Sequence, residues 1–124
     1  MNHLRTVTCV ALLVVCFAAT GCREKGPPPA LAAESIPAEF EKGFRKAKPS
    51  VKELATQVVT ALQAKDYPAA HAAAHQLCAA PEATDAEKRL AVGAMLTSTT
   101  LLQEAQAQGD QKAAEVLTSQ KKFK

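Results

Sequence analysis

The chain is poor in aromatic residues and has few cysteines outside its N-terminal segment. It contains no tryptophan, one tyrosine and four phenylalanines in 124 residues. Alanine supplies much of the apolar fraction, and because alanine packs helices closely but buries little area, we expect a thin core and modest stability. Three of the four cysteines lie within the first 22 residues. Cys78 is therefore alone in the rest of the chain, which excludes a disulfide framework there.

Sequence signatures of several enzyme and nucleic-acid classes are also missing. No segment alternates like a strand, and there is no glycine-rich phosphate loop, dinucleotide fingerprint or CxxCH haem motif. The hydroxyl run from Thr97 to Thr100 has no histidine or acid beside it to activate a nucleophile. The 15 basic and 12 acidic residues are nearly balanced. We therefore expect no catalysis and no nucleic-acid partner.

The N-terminus has the pattern of an export signal. Arg5 precedes an apolar stretch that runs from Thr6 to Ala19. This stretch is shorter than the roughly 20 residues that a membrane-spanning helix needs, but it suits the apolar region of a signal peptide. The stretch is followed by small residues and then by Cys22.

The sequence Ala19-Thr20-Gly21-Cys22 resembles the lipobox of bacterial lipoproteins. The resemblance implies cleavage before Cys22, diacylglycerol on its thiol and an acyl chain on its amine. It departs from the family at Ala19, where leucine is usual, and an ordinary secretory signal cut after Gly21 is the alternative. In lipoproteins that this sequence resembles, an aspartate directly after the lipidated cysteine retains the protein in the inner membrane. This chain has Arg23 there, which favours the outer membrane. We therefore expect a lipid-anchored envelope protein that faces the periplasm, with palmitate-type acylation at Cys22.

Three regions are predicted from these features. Residues 1–21 form the signal peptide, residues 22–34 form a lipidated, flexible proline-rich linker, and residues 35–124 form a helical domain. In the linker, Gly26 and Pro27–Pro29 favour an extended spacer.

The domain is predicted to be all-α, with about five helices. Apolar spacing and helix-terminating residues place them near residues 36–47, 50–65, 67–79, 85–108 and 111–121. Pro49 is expected to end the first helix, and Ser50 with Glu53 is expected to cap the second. Asp66, Asp110 and a Thr84–Glu87 capping box are expected to begin the last three. The charged residues at the start of the fourth helix are expected to form a solvated face; they are Asp85, Glu87, Lys88 and Arg89.

An internal repeat with an offset of 44 residues supports two helix hairpins. The segment from Ala64 to Ala70 matches the segment from Gln108 to Ala114. In each, an aspartate-capped turn separates an apolar helix from an alanine-rich one, which predicts two antiparallel hairpins.

The segment 65–81 is similar to the second half of a tetratricopeptide repeat. Tyr67, Ala70, Leu77 and Pro81 occupy matching positions. The spacing exceeds the roughly 34 residues of that family, and the Trp-Leu-Gly signature is missing. The domain also resembles small helical lipoproteins of Gram-negative bacteria, a resemblance that implies no activity.

One group of residues has metal-binding chemistry. His71, His75 and Cys78 are spaced by four and three residues, which places them on one helical face. Imidazole and thiolate are ligands for zinc or copper, but a structural zinc site needs four ligands. We therefore expect the three side chains to serve packing, with Cys78 inward, His71 at the boundary and His75 outward. A metal site is the alternative, and a redox or intermolecular-disulfide role of Cys78 is a third possibility.

We expect a non-enzymatic envelope module that binds a protein partner through an exposed helical surface. The predicted contact residues, if the fold leaves them uncovered, are Val92, Met95, Leu96 and Leu102. The alternative is a periplasmic metal-binding protein that uses the two histidines and Cys78.

Overall fold

The computed structural model describes residues 28–123. Within this range the chain forms one short 3₁₀ turn and five α-helices. They are the 3₁₀ turn Ala33–Ser35, α1 (Ile36–Gly43), α2 (Pro49–Gln63), α3 (Tyr67–Ala79), α4 (Asp85–Ala107) and α5 (Gln111–Lys121).

The helices form two consecutive antiparallel hairpins. Helices α2 and α3 make the first hairpin, α4 and α5 make the second, and α3 packs along α4 to join them. Helix α1 lies against α4 and α2. The predicted all-α fold with two hairpins is confirmed.

The turns of the two hairpins have the same backbone geometry. Lys65 and Gly109 both have positive φ, at 56° and 94°. The amide N–H of the aspartate that follows each donates to the carbonyl five residues earlier, over 2.9 Å for Asp66 and 3.0 Å for Asp110. Each aspartate carboxylate then accepts from the N–H three residues later, over 3.2 Å in both cases. The 44-residue repeat therefore reflects a repeated turn, in which a residue with positive φ ends one helix and the following aspartate caps the next.

The predicted capping box at the start of α4 is confirmed. The Glu87 N–H donates to the Thr84 hydroxyl over 3.2 Å, and the Thr84 N–H donates to the Glu87 carboxylate over 2.9 Å. The expectation that Glu87 is solvated is wrong, because its side chain folds back onto the cap and is only 7% exposed.

The predicted junction between α1 and α2 is also wrong. Helix α1 ends at Gly43 instead of near residue 47, and Pro49 begins α2 instead of ending α1. Proline is favoured at a first helical position, where its missing N–H would have no helical partner. Ser50 therefore lies inside α2, and its hydroxyl donates to the Glu82 carboxylate instead of capping.

The core is built largely from small side chains, as the composition predicts. Half of the 16 buried hydrophobic residues are alanines, so the helices approach closely and bury little area per residue. The main cluster joins α1, α2, α3 and α4, and its largest fully buried members are Ile36, Leu77, Val51 and Val58. A smaller cluster of Leu102, Ala113 and Leu117 lies between α4 and α5.

The packed part of the chain begins before the predicted boundary at residue 35. The Leu31 side chain packs against the main core cluster, and the Leu31 backbone contacts α4 at Gly93. The described end of the predicted linker is therefore part of the folded unit.

Candidate functional site

His71 lies at the contact between α3 and α5. Its ring is half-buried, and the Gln120 side-chain nitrogen lies 2.9 Å from Nε2 and 3.3 Å from Nδ1. A neutral ring can accept the amide N–H of Gln120. Burial, followed by the nearby His75, lowers the pKa of His71. The position of His71 therefore favours a structural link between helices.

The other two candidate metal ligands have different surroundings. His75 is exposed and Cys78 is half-buried beside the core. Burial raises the pKa of the Cys78 thiol, which disfavours the thiolate that binds metals and reacts with disulfides. In the range 28–123, no three side chains of His, Cys, Asp or Glu are placed to hold one metal ion. The zinc or copper hypothesis stays a prediction, which titration of the protein and of its His71→Ala variant would test.

The predicted contact surface on α4 is only partly exposed. Leu96 is 39% exposed, whereas Val92 and Met95 are half-buried. Leu102 does not belong to this surface, because it is fully buried beneath α5 in the smaller core cluster. The correction follows from the way α5 folds back over α4.

The hydroxyl run of α4 is occupied by contacts within the fold. The hydroxyls of Ser98, Thr99 and Thr100 donate to carbonyls of the preceding turn over 2.9–3.2 Å. The Thr97 hydroxyl lies 3.0 Å from the Gly93 carbonyl and donates to the Leu31 carbonyl. Thr97 and Ser98 are also buried, so these hydroxyls act in helix and packing contacts.

An open groove between α1 and α2 is the best-formed candidate site. Its volume is about 430 Å³. Phe40 and Phe44 form its aromatic part, with ring centroids 4.9 Å apart and planes tilted by 52°. Both rings are almost completely buried and so are held in place by the core. The lining consists of Pro37, Phe40, Glu41, Phe44, Arg45, Lys52, Ala55, Thr56 and Val59.

Two exposed cations, Arg45 and Lys52, line this groove and belong to a basic segment of the chain. Between residues 42 and 52 the chain carries five cations and no acid. All five are exposed. They are Lys42, Arg45, Lys46, Lys48 and Lys52. We call this set the basic collar; the nearly balanced charge of the whole chain conceals it, although the local sequence shows it directly.

One member of the basic collar is paired within the chain. The Lys48 ammonium lies 3.6 Å from the Glu82 carboxylate, which also accepts the Ser50 hydroxyl. The Ser50 hydroxyl, followed by Lys48, holds the pKa of Glu82 below its ordinary value. This contact joins the loop before α2 to the loop before α4.

A second groove lies between α2 and α3. Its volume is about 600 Å³, but no aromatic residue lines it. Its lining is Glu53, Thr56, Gln57, Thr60, Ala61, Ala64, Asp66, Ala69 and Ala73. The α1–α2 groove is the stronger candidate because two buried rings fix its floor and the exposed cations Arg45 and Lys52 line it.

Cys22, the predicted lipid attachment site, lies outside the described residues. Among residues 28–123, no helix combines the length and apolarity needed to cross a membrane.

Comparison with known proteins adds no assignment to these observations. Scans against protein-family models, curated proteins and solved structures return no match to this chain.

Proposed function

We propose that the protein is a lipid-anchored component of the bacterial envelope that binds a partner protein through the α1–α2 groove and has no catalytic activity of its own. The anchor is Cys22, and the domain faces the periplasm from the outer membrane. The observation that carries the binding role is the open α1–α2 groove of about 430 Å³, whose floor is closed by the buried rings of Phe40 and Phe44.

The geometry of the groove favours a helical partner. The groove runs between two helices, and an amphipathic helix binds such a surface by placing its apolar side chains along the floor. Thr56 and Val59 of α2 line one wall, while Pro37 and Glu41 of α1 line the other.

The basic collar favours acidic side chains on that partner. Arg45 and Lys52 both line the groove and are exposed. Opposite charges at the rim of an interface increase the association rate and disfavour like-charged partners. The partner helix is therefore proposed to carry Asp or Glu beside its apolar stripe.

Photo-crosslinking in intact cells tests the binding role. A photoreactive amino acid at Glu41 lies in the α1–α2 groove, one at Gln57 lies in the α2–α3 groove, and one at Glu115 lies on the exposed side of α5. We expect one dominant crosslinked product from position 41 and none from 57 or 115. Equal products from all three positions would contradict a specific groove.

Charge variants test the proposed chemistry of the partner. Lys52→Glu places a negative charge at the groove, and Lys112→Glu makes the same change on the exposed part of α5. We expect Lys52→Glu to reduce the product from position 41 and Lys112→Glu to leave it unchanged. A product that is insensitive to Lys52→Glu argues against an acidic partner.

A further inference from the structure

The segment before α1 lies across α4 and is bonded to it through the backbone. The Leu31 N–H donates to the Gly93 carbonyl over 3.4 Å. The Thr97 hydroxyl, which also lies 3.0 Å from the Gly93 carbonyl, donates to the Leu31 carbonyl. Both backbone groups of Leu31 therefore have partners one helical turn apart on α4.

Gly93 provides the space for this contact. A Cβ atom at position 93 would lie 2.9 Å from the Leu31 Cγ atom and 3.1 Å from the Pro29 carbonyl oxygen. The second contact involves backbone, which would have to shift by a few tenths of an ångström away from α4 to make room. Glycine is unfavourable in a helix interior, and here its lack of a side chain allows the segment to lie against α4.

The Leu31 side chain adds an apolar contact to these hydrogen bonds. It packs against the main core cluster, whereas its neighbour Ala32 is exposed. The segment is thus held by a side chain on one side and by its backbone on the other. We call residues 29–31 the strap.

We propose that the strap fixes how far the folded domain stands from its attachment point, and that its release lengthens the tether. This inference depends on the proposed lipid attachment at Cys22. Leu31 lies nine positions after Cys22, and a fully extended chain of that length spans at most about 32 Å. If the strap is released, the first fixed residue becomes Ile36, fourteen positions after Cys22, and the limit rises to about 50 Å.

The difference changes the reach of the domain toward a partner. With the strap docked on α4, Leu31 and the part of α4 near Gly93 stay within about 32 Å of the bilayer surface. With the strap released, the domain and its α1–α2 groove gain up to about 18 Å of reach. Docking of the strap therefore selects partners close to the membrane.

Amide exchange tests the docked strap in the protein purified from its membranes in detergent. In the wild type, the Leu31 amide should be protected because it donates to α4. We expect Gly93→Ala and Thr97→Val each to accelerate its exchange at least about tenfold, since both remove strap contacts. Thr100→Val is the matched control, because the Thr100 hydroxyl bonds only within α4.

A folding control accompanies the exchange measurement. Circular dichroism must show that the variants keep their helices; alanine is a better helix former than glycine, so Gly93→Ala should preserve α4. Unchanged protection of Leu31 in both strap variants would overturn the docked strap whether or not the protein is lipidated.

The reach is measured separately, by energy transfer from a dye at position 115 to acceptors in vesicles that hold the lipidated protein. We expect lower transfer for Gly93→Ala than for the wild type and no change for Thr100→Val. Equal transfer in Gly93→Ala and wild type overturns the role of the strap in setting the distance. If no lipid is found at Cys22, the anchor proposal fails, while the exchange result still decides whether the strap docks.

Discussion

At the scale of single residues, the two hairpin turns place two different residue types in a positive-φ conformation. Lys65 and Gly109 occupy equivalent positions with positive φ. For an L-residue this conformation brings Cβ close to the backbone, whereas glycine adopts it without that contact. The first turn therefore carries a local cost that the second avoids.

Exchanging the two residue types should change stability in opposite directions. We expect Lys65→Gly to stabilise the fold by up to about 1 kcal/mol and Gly109→Ala to destabilise it by about 1 kcal/mol. A Cβ at position 109 would meet no atom within 4 Å, so the effect there comes from the backbone alone. Urea unfolding measures both. A stabilised Gly109→Ala variant would show that the turn geometry is misassigned.

His71 should make stability depend on pH. Its pKa is lowered by burial and by His75, so the folded state favours the neutral ring. Above its ordinary pKa of about 6.5 the stabilisation is fully present, and it is lost as the pH falls from there toward the lowered folded pKa. We expect the melting temperature to drop more between pH 7.5 and 5.0 in the wild type than in His71→Gln. Equal drops would mean that His71 does not contribute.

At the scale of helices, the sequence predicts those elements best that begin with a side-chain cap. Helices α3 and α5 have their predicted bounds, and α4 ends one residue early. Asp66, Thr84 and Asp110 signal these starts through local hydrogen bonds, which depend only on nearby residues. The prediction of the α1–α2 junction was wrong because Pro49 is compatible both with a helix end and with a helix start.

The candidate site was less predictable than the helices. The α1–α2 groove depends on how two helices pack, and the sequence pattern alone does not give that distance. Leu101 and Leu102 are similarly ambiguous: both are apolar neighbours on α4, but only Leu102 is completely covered. The glycine at position 93 is explained only by the strap, a contact with Leu31, which lies 62 positions earlier in the sequence.

Ser50 and Thr84 were both predicted to cap a helix, but only Thr84 does so. Alanine variants of the two residues test this difference. We expect Thr84→Ala to cost about 1 kcal/mol, because it removes the capping box of α4. Ser50→Ala should cost less than about 0.5 kcal/mol, because Ser50 makes only an exposed side-chain bond to Glu82. Denaturant unfolding of both variants checks the order, and the reverse order would contradict the assigned starts of α2 and α4.

At the scale of the whole molecule, stability depends on few large side chains. Leu77 on α3 is fully buried where α3 contacts both α2 and α4. We expect Leu77→Ala to cost about 2–5 kcal/mol, a large share of the 5–15 kcal/mol typical of a small domain. Because α3 joins the two hairpins, both should lose stability together. Calorimetry that showed one hairpin melting alone would contradict a single cooperative unit.

The proposed lipid anchor would give the groove and the strap their biological setting. Multiple acyl chains on one cysteine hold a protein on a membrane stably, since each buried methylene contributes about 0.8 kcal/mol. Under this proposal the groove faces partners within reach of the membrane, and the strap limits that reach.

Intact-mass spectrometry of the protein extracted from cell membranes tests this account most directly. We predict a chain that begins at Cys22 and carries the added mass of a diacylglycerol group and one acyl chain, with the modified species absent in Cys22→Ser. A chain recovered from the soluble fraction with an unmodified Cys22, or with residues 1–21 still attached, would contradict the account.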